Sequence, residues 1–191
     1  MGFTSSGLGP ADQTLIQTFG REIITFLRTA ARNVTVIDQH SQLWFGDSSA
    51  LWITQLREKL DRMATVINLQ SIDIHGSTLN RRGNTFAAAQ RPNSGWRDNT
   101  ANPGGGGFIT RSQGQGFHIR LDRSWNTAPT YRSANSPDSK FQTLVHELTH
   151  LIIDTEDEEY TSIRCRGLAI TNSARAKRNA DSWGYFVEEF R

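Results

Sequence analysis

An α+β fold is predicted for this chain by the order of three patterns. Helix-period apolar stripes occupy residues 15–30 and 51–67, β-branched alternating segments gather between about 71 and 122, and helical patterning resumes after residue 137. Helices, then strands, then helices is the order of an α+β domain rather than of repeating βαβ units. With 191 residues, 36% of them hydrophobic, the chain is long enough for one core. No compositional break divides it, so residues 1–191 are read as a single domain.

The first helix is expected from Leu15, because Leu15, Ile16, Phe19, Ile23, Phe26, Leu27 and Ala30 recur at steps of three and four. A second should follow "LWFGDSS", with Asp47 or Ser48 as its cap and Leu51, Leu56, Leu60, Met63 and Ile67 as its buried stripe. "SIDIHG", "NTFAAAQ" and "GFHIRLD" read as the strands of a small sheet. The glycine run in "NPGGGGF" is followed by neither Lys-Ser/Thr nor a helix start, so it reads as a hairpin connection rather than a phosphate loop. "NSPDSKF" should open the third helix, with Ser136 as cap, Pro137 at the first position and Asp138 in the positive first turn. In the last helix Ala176, Ala180, Trp183, Val187 and Phe190 form a packing seam with Asp181 near its edge.

Composition excludes several function classes. Twenty-one Lys and Arg against nineteen Asp and Glu give a net charge of only +2, weak support for a nucleic-acid partner even though Arg164, Arg166, Arg175, Lys177 and Arg178 lie close in sequence. A single cysteine, Cys165, rules out an internal disulfide framework and is expected to be a buried apolar residue. No run approaches a membrane span, and "MGFTSSGLGP" lacks the basic-then-apolar order of a secretory signal. "MGFTSS" satisfies the loose myristoylation pattern, which so short a match does not establish. A monomer is expected, in a compartment the sequence does not fix; a secreted or delivered effector, a toxin module cut from a longer polypeptide and a cytosolic enzyme each suit a disulfide-free chain without a signal.

The chemistry concentrates in "FQTLVHELTHLIIDTEDEEY", residues 141–160. At about 100° per residue Phe141, Leu144, Val145, Leu148, Leu151 and Ile152 fall in one arc, with His146 and His150 on the opposite side, one turn apart. Two imidazoles so placed suit two positions of a catalytic zinc site, and Glu147 between them can serve as general base toward a water in the open position. The third ligand decides the class of site, and no histidine follows His150. Asp154 on an unbroken helix would lie about 12 Å along the axis from His146, too far to share an ion. Asp154 and Thr155 are poor helix formers, so the chain should turn there and bring back Asp157, in competition with Asp154, Glu156, Glu158 and Glu159. The remaining acids would either solvate a loop or give the cleft a negative field.

"HELTH", "DTEDEEY" and "NADSWGYFVEEF" together resemble the aspzincin metallopeptidases, the deuterolysin and lysine-specific endopeptidase family, and "LWFG" and "IRLDRSWNTAP" resemble it more weakly. The resemblance implies a zincin-like fold with the active-site helix packed under a small sheet, whose edge strand aligns the substrate. It also implies a zinc endopeptidase acting on polypeptides through one ion held by His146, His150 and Asp157, with Glu147 as base and Tyr160 donating to the oxyanion. It casts Asp181 as a substrate-binding carboxylate for a basic residue after the cut. Three departures stand out: Asp154 and Thr161 replace motif glycines, Trp183 replaces a tyrosine, and Gly184 replaces the second carboxylate of the lysine pocket, so strict lysine specificity is not expected. The alternative is a zinc-binding interaction domain that has lost catalysis. His40, His75 and His118 lie outside the motifs and are expected to be ordinary surface or core histidines.

Overall fold

In the computed structural model the chain is described over residues 2–76, 86–90, 96–97, 117–133 and 138–191. The "NPGGGGF" connection and the expected cap Ser136 with Pro137 lie outside these residues.

The first element is a strand that the sequence did not announce, β1 (Phe3–Ser6), only four residues long and with no repeat of its alternation to reveal it. Helix α1 (Pro10–Asn33) begins earlier than its apolar stripe, because Pro10 sits in its first turn, where the missing N–H costs nothing. A short helix α2 (Gln39–Phe45), capped by Asp38 and ended by Gly46 in the left-handed region, occupies the "LWFG" segment. Helix α3 (Ala50–Leu69) is capped by Ser49, whose hydroxyl accepts from the Trp52 amide, rather than by Asp47 or Ser48. Leu51 is 72% exposed, so Trp52 and Ile53 take the place expected of it in the buried stripe.

Strands β2 (Ile72–Gly76), β3 (Ala87–Gln90), β4 (Trp96–Arg97) and β5 (Phe117–Leu121) complete a five-stranded sheet of order β1-β2-β5-β3-β4. β1, β2 and β5 run parallel, while β3 is antiparallel to both β5 and β4. The architecture is α+β as expected, although β1 precedes the first helix and so breaks the simple helix-strand-helix order. A 3-10 turn follows at Arg123–Thr127.

Helix α4 (Lys140–Ile152) carries the two motif histidines and starts three residues later than expected for a Pro137 start, with Ser139 as its cap. Asp138 instead accepts a hydrogen bond from the Tyr185 hydroxyl. α4 is buried all round, lying against β3 on one side and against α7 (Ala180–Glu188) on the other. Between them run α5 (Ser162–Thr171) and the single turn α6 (Ser173–Ala176). The seam expected to form one last helix is thus broken between Ala176 and Ala180, where the chain turns to bring Asn179 to bear on the loop after α4.

One aromatic cluster explains one of the weaker motifs. Trp44 stacks on Tyr185 at 4.9 Å, and Phe45 packs against Trp183 at 5.0 Å, so "LWFG" closes the outer face of α7. Trp183 is fully buried and donates its indole N–H to the Lys177 carbonyl, which makes it a packing residue. Cys165 is buried, as expected.

Candidate metal centre

α4 ends at Ile152 and the backbone reverses through Asp154, at φ 62°. That left-handed residue is tolerated because a short Asp side chain costs less there than most. The turn swings Thr155 back under α4, where its hydroxyl meets that of Thr149 at 2.7 Å and its carbonyl accepts from His150 Nδ1 at 2.9 Å. The chain then runs past the open side of the helix, and Asp157 arrives beside both histidines.

The three donor atoms form a near-equilateral triangle. His146 Nε2 and His150 Nε2 are 3.0 Å apart, and Asp157 Oδ1 lies 3.1 Å from the first and 3.2 Å from the second. A carbonyl can only accept, so His150 Nδ1 carries its proton; His146 Nδ1 faces Asp181 Oδ1 at 2.6 Å and carries one too. In their neutral forms both Nε2 atoms therefore present lone pairs that converge with a carboxylate oxygen; although burial pulls the His146 pKa down, Asp157 and Asp181 raise it well above the usual value, so without an ion a proton is held there instead. Three acceptors at this spacing repel unless a cation lies among them, and ligands at about 2.0–2.1 Å from a tetrahedral zinc sit about 3.3 Å from one another. The donor set fits zinc.

Glu147 is also within reach of the histidines, but its Oε1 is 4.0 Å from His146 Nε2, beyond the triangle that Asp157 closes. Its carboxylate is buried, and its Oε2 meets no hydrogen-bond partner among the described residues. Burial pushes its pKa up, against the pull of the two imidazoles. For Asp157 burial acts the same way, yet the His146 and His150 imidazoles beside it hold its carboxyl well below the usual range. Tyr160 stands over the site, 54% exposed, with its ring stacked on that of His146 at 6.4 Å and 18°. Burial and the nearby Asp157 raise its phenol, so it keeps its proton.

Asp181 is not where an exposed selector would be. It is 5% exposed, and its Oδ1 accepts from Gln142 Nε2 at 2.8 Å as well as from His146, while Oδ2 accepts from the Thr161 amide at 3.2 Å. Asp181, expected as a substrate-binding carboxylate, is thus buried and faces the back of His146. Gly184 lies on the same helix, in tight contact with α4, where an added Cβ would stand 2.9 Å from the Gln142 carbonyl oxygen. With the helices this close, a side chain at position 184 would need Gln142 to shift.

Asn179 is the residue the sequence reading passed over. Its side-chain oxygen accepts from the amides of Glu158 and Glu159, each at 3.0 Å, and its amide group donates to Ser182 and Cys165. Together with the Glu156 backbone bonds to Arg178 and Ala180, it clamps the chain on both sides of Asp157. A buried side-chain amide beside a loop is a holder of loop backbone, a role that the burial of Asn179 reveals and its sequence does not.

The acidic run is mostly spent on arginines. Glu158 pairs with Arg175 at 2.7 Å and Arg178 at 2.8 Å, Glu156 with Arg178 at 3.6 Å, and Glu159 with Arg164 at 3.7 Å. Lys177 pairs with Asp47 at 2.6 Å. These pairs set most of the suggested basic patch against most of the suggested negative field, while Arg166 turns to the Ser162 carbonyl and the Trp44 ring.

A helix carrying HExxH, a carboxylate returned by the next turn and a mixed sheet beside it make up a zincin-like fold. Residues 108–188 match the family model described as lysine-specific metallo-endopeptidase, Aspzincin_M35, so the resemblance to the aspzincins is borne out over that stretch. The chain is 37% identical over 76 residues to an extracellular protease of Aeromonas hydrophila and 36% identical over 66 residues to a peptidyl-Lys metalloendopeptidase of Armillaria mellea. These alignments take in 39% and 34% of this chain but only 21% and 17% of those relatives' lengths. The solved zinc peptidase from Grifola frondosa superposes with a TM-score of 0.65 at 19% identity, covering 95% of this chain and 97% of that one, which establishes the shared fold.

Proposed function

We propose that the chain is a single catalytic domain, residues 1–191, that hydrolyses internal peptide bonds of polypeptides with one zinc ion held by His146, His150 and Asp157. The observation that carries this reading is the triangle of three acceptors 3.0–3.2 Å apart, with both imidazole Nδ1 protons already committed elsewhere. Zinc bound there supplies Lewis acidity, which makes water nucleophilic near neutral pH. Glu147 takes the proton of the attacking water and delivers it to the leaving amine; its buried position and raised pKa suit a group that must hold a proton between the two steps. Tyr160, protonated and at the rim, donates to the oxygen of the carbonyl under attack.

The lysine preference named for the Armillaria relative is not carried over. Asp181 is occupied by three donors and Gly184 offers no carboxylate, so this chain lacks the pair that would fix a lysine. Among the described residues no helix is long and apolar enough to cross a membrane. Incubating the zinc-loaded chain with a denatured protein and mapping the cut sites tests the reading. Cleavage that a chelator stops and zinc restores is expected. Full zinc occupancy without cleavage of any polypeptide offered would leave a metal-binding interaction domain instead.

A further inference from the structure

We propose that Asp73, His75 and His118 form a second divalent-cation site on the sheet face opposite the hydrophobic core. The alternation of β2 and β5 sends Ile72, Ile74, Phe117 and Ile119 into the core and turns Asp73, His75 and His118 to the other side. Parallel pairing sets Asp73 directly opposite His118, and His75 is the next residue of β2 on that face. Two ligands at i and i+2 of one strand with a third on its neighbour make a compact triangle, because the strand spacing is about 4.8 Å and same-face residues are about 7 Å apart.

The side chains close that triangle. His118 Nδ1 is 3.3 Å from Asp73 Oδ2, the His75 and His118 rings meet edge to face at 6.2 Å, and one ligand-type atom from each residue lies within 4.8 Å of the other two. Thr4 on β1, in register with Asp73, has its hydroxyl 3.4 Å from both Oδ1 and the Ile72 carbonyl oxygen, and Oδ2 is turned toward the imidazole. That is the supporting contact a carboxylate ligand needs to hold one orientation. The side chains of His118 and Asp73 are 34% and 33% exposed, open enough for an ion to enter with its water.

Arg120, opposite His75, would oppose a cation, but its guanidinium is bound to Asp122 through two bonds of 3.0 and 3.1 Å. Binding draws the donors from within 4.8 Å to the roughly 3.3 Å of a tetrahedral shell, a motion that partly exposed side chains make by rotation. Two imidazoles and one carboxylate select zinc, nickel or copper over magnesium or calcium. An ordinary Asp73–His118 ion pair, the bland alternative, gives His75 no role in binding a metal.

The test is independent of peptide hydrolysis. The full chain is equilibrated with zinc at low micromolar free concentration, and its metal content is measured by mass spectrometry. About two equivalents are expected, one in each three-ligand site. His75→Gln with His118→Gln should leave about one equivalent and unchanged cleavage of a denatured substrate, and His146→Gln with His150→Gln should also leave about one, without cleavage. In ¹⁵N-labelled protein, zinc should shift the ring nitrogens of His75 and His118 together. A wild-type chain that saturates at one equivalent overturns the proposal. So does a second equivalent that persists when both outer histidines are replaced, or a shift of His118 alone.

Discussion

His146 has its two ring nitrogens assigned to different tasks, Nδ1 to Asp181 and Nε2 to the donor triangle. A carboxylate behind a ligand imidazole fixes the tautomer and raises ligand basicity. Asp181→Asn should therefore weaken zinc binding by about 10–100-fold and leave the residue preferred after the cut unchanged. Competition with a chromophoric chelator and cleavage profiling of a peptide library measure the two halves. A lost basic preference with intact zinc affinity would make Asp181 a selector after all. Glu147→Gln should keep the metal, since both imidazoles and Asp157 remain, while cleavage falls by about 10²-fold or more because an amide cannot accept the proton. Residual activity above about a tenth would refute the base assignment. For the third ligand, Asp157→Ala should lose the metal and Asp154→Ala should not, because Asp154 serves the turn while Asp157 Oδ1 is the atom 3.1 and 3.2 Å from the imidazoles.

The loop between α4 and α5 is held in two left-handed residues, Asp154 and Thr161, at the positions where the resembling family carries glycine. Thr161, with φ 68° and ψ 145°, is β-branched in a region nearly reserved for glycine, a strain of about 1–3 kcal/mol. Thr161→Gly relieves it and gives back part through the unfolded chain's greater freedom. A net gain of about 1 kcal/mol is expected, seen as a melting temperature about 2–4 °C higher. A lower one would mean that the hydroxyl or methyl makes a contact worth more than the strain. Conversely, Gly184→Ala should cost about 1–3 kcal/mol in a denaturant titration, since its Cβ would press on the Gln142 backbone. At this scale the limits of sequence reading become physical. α1, α3 and α4 were legible because long stripes average over many residues, and the HELTH ligands because they share one helix. β1 and α2 were not, since four and seven residues carry too little periodicity. The burial of Asp181 and the clamp at Asn179 depend on how α7 docks against α4, a long-range packing fact that no local pattern of "NADSW" contains.

The molecule is tied together unevenly. α1 and α3 pack on each other through complete apolar stripes, with Phe19 meeting Phe141 of α4 at 5.5 Å, and need no metal to cohere. The C-terminal part depends on polar ties that meet at one point: Asp157 joins the loop to α4, Asp181 joins α7 to His146, and Asn179 joins α7 to the loop. Removing the ion leaves only a proton among the converging donors beside a buried carboxylate, so the loss should be local before it is global. With free zinc about a thousandfold above its dissociation constant, the ion contributes about 4 kcal/mol, and chelation should lower the melting temperature by about 10 °C. Hydrogen exchange with and without chelator tells where. Amides of residues 153–161 should lose most of their protection and those of α7 part of it, while α1 and α3 keep theirs. In Asp157→Ala the chelator should change nothing in that loop. Uniform loss across all helices would mean instead that the N-terminal helices depend on the metal centre for their own stability.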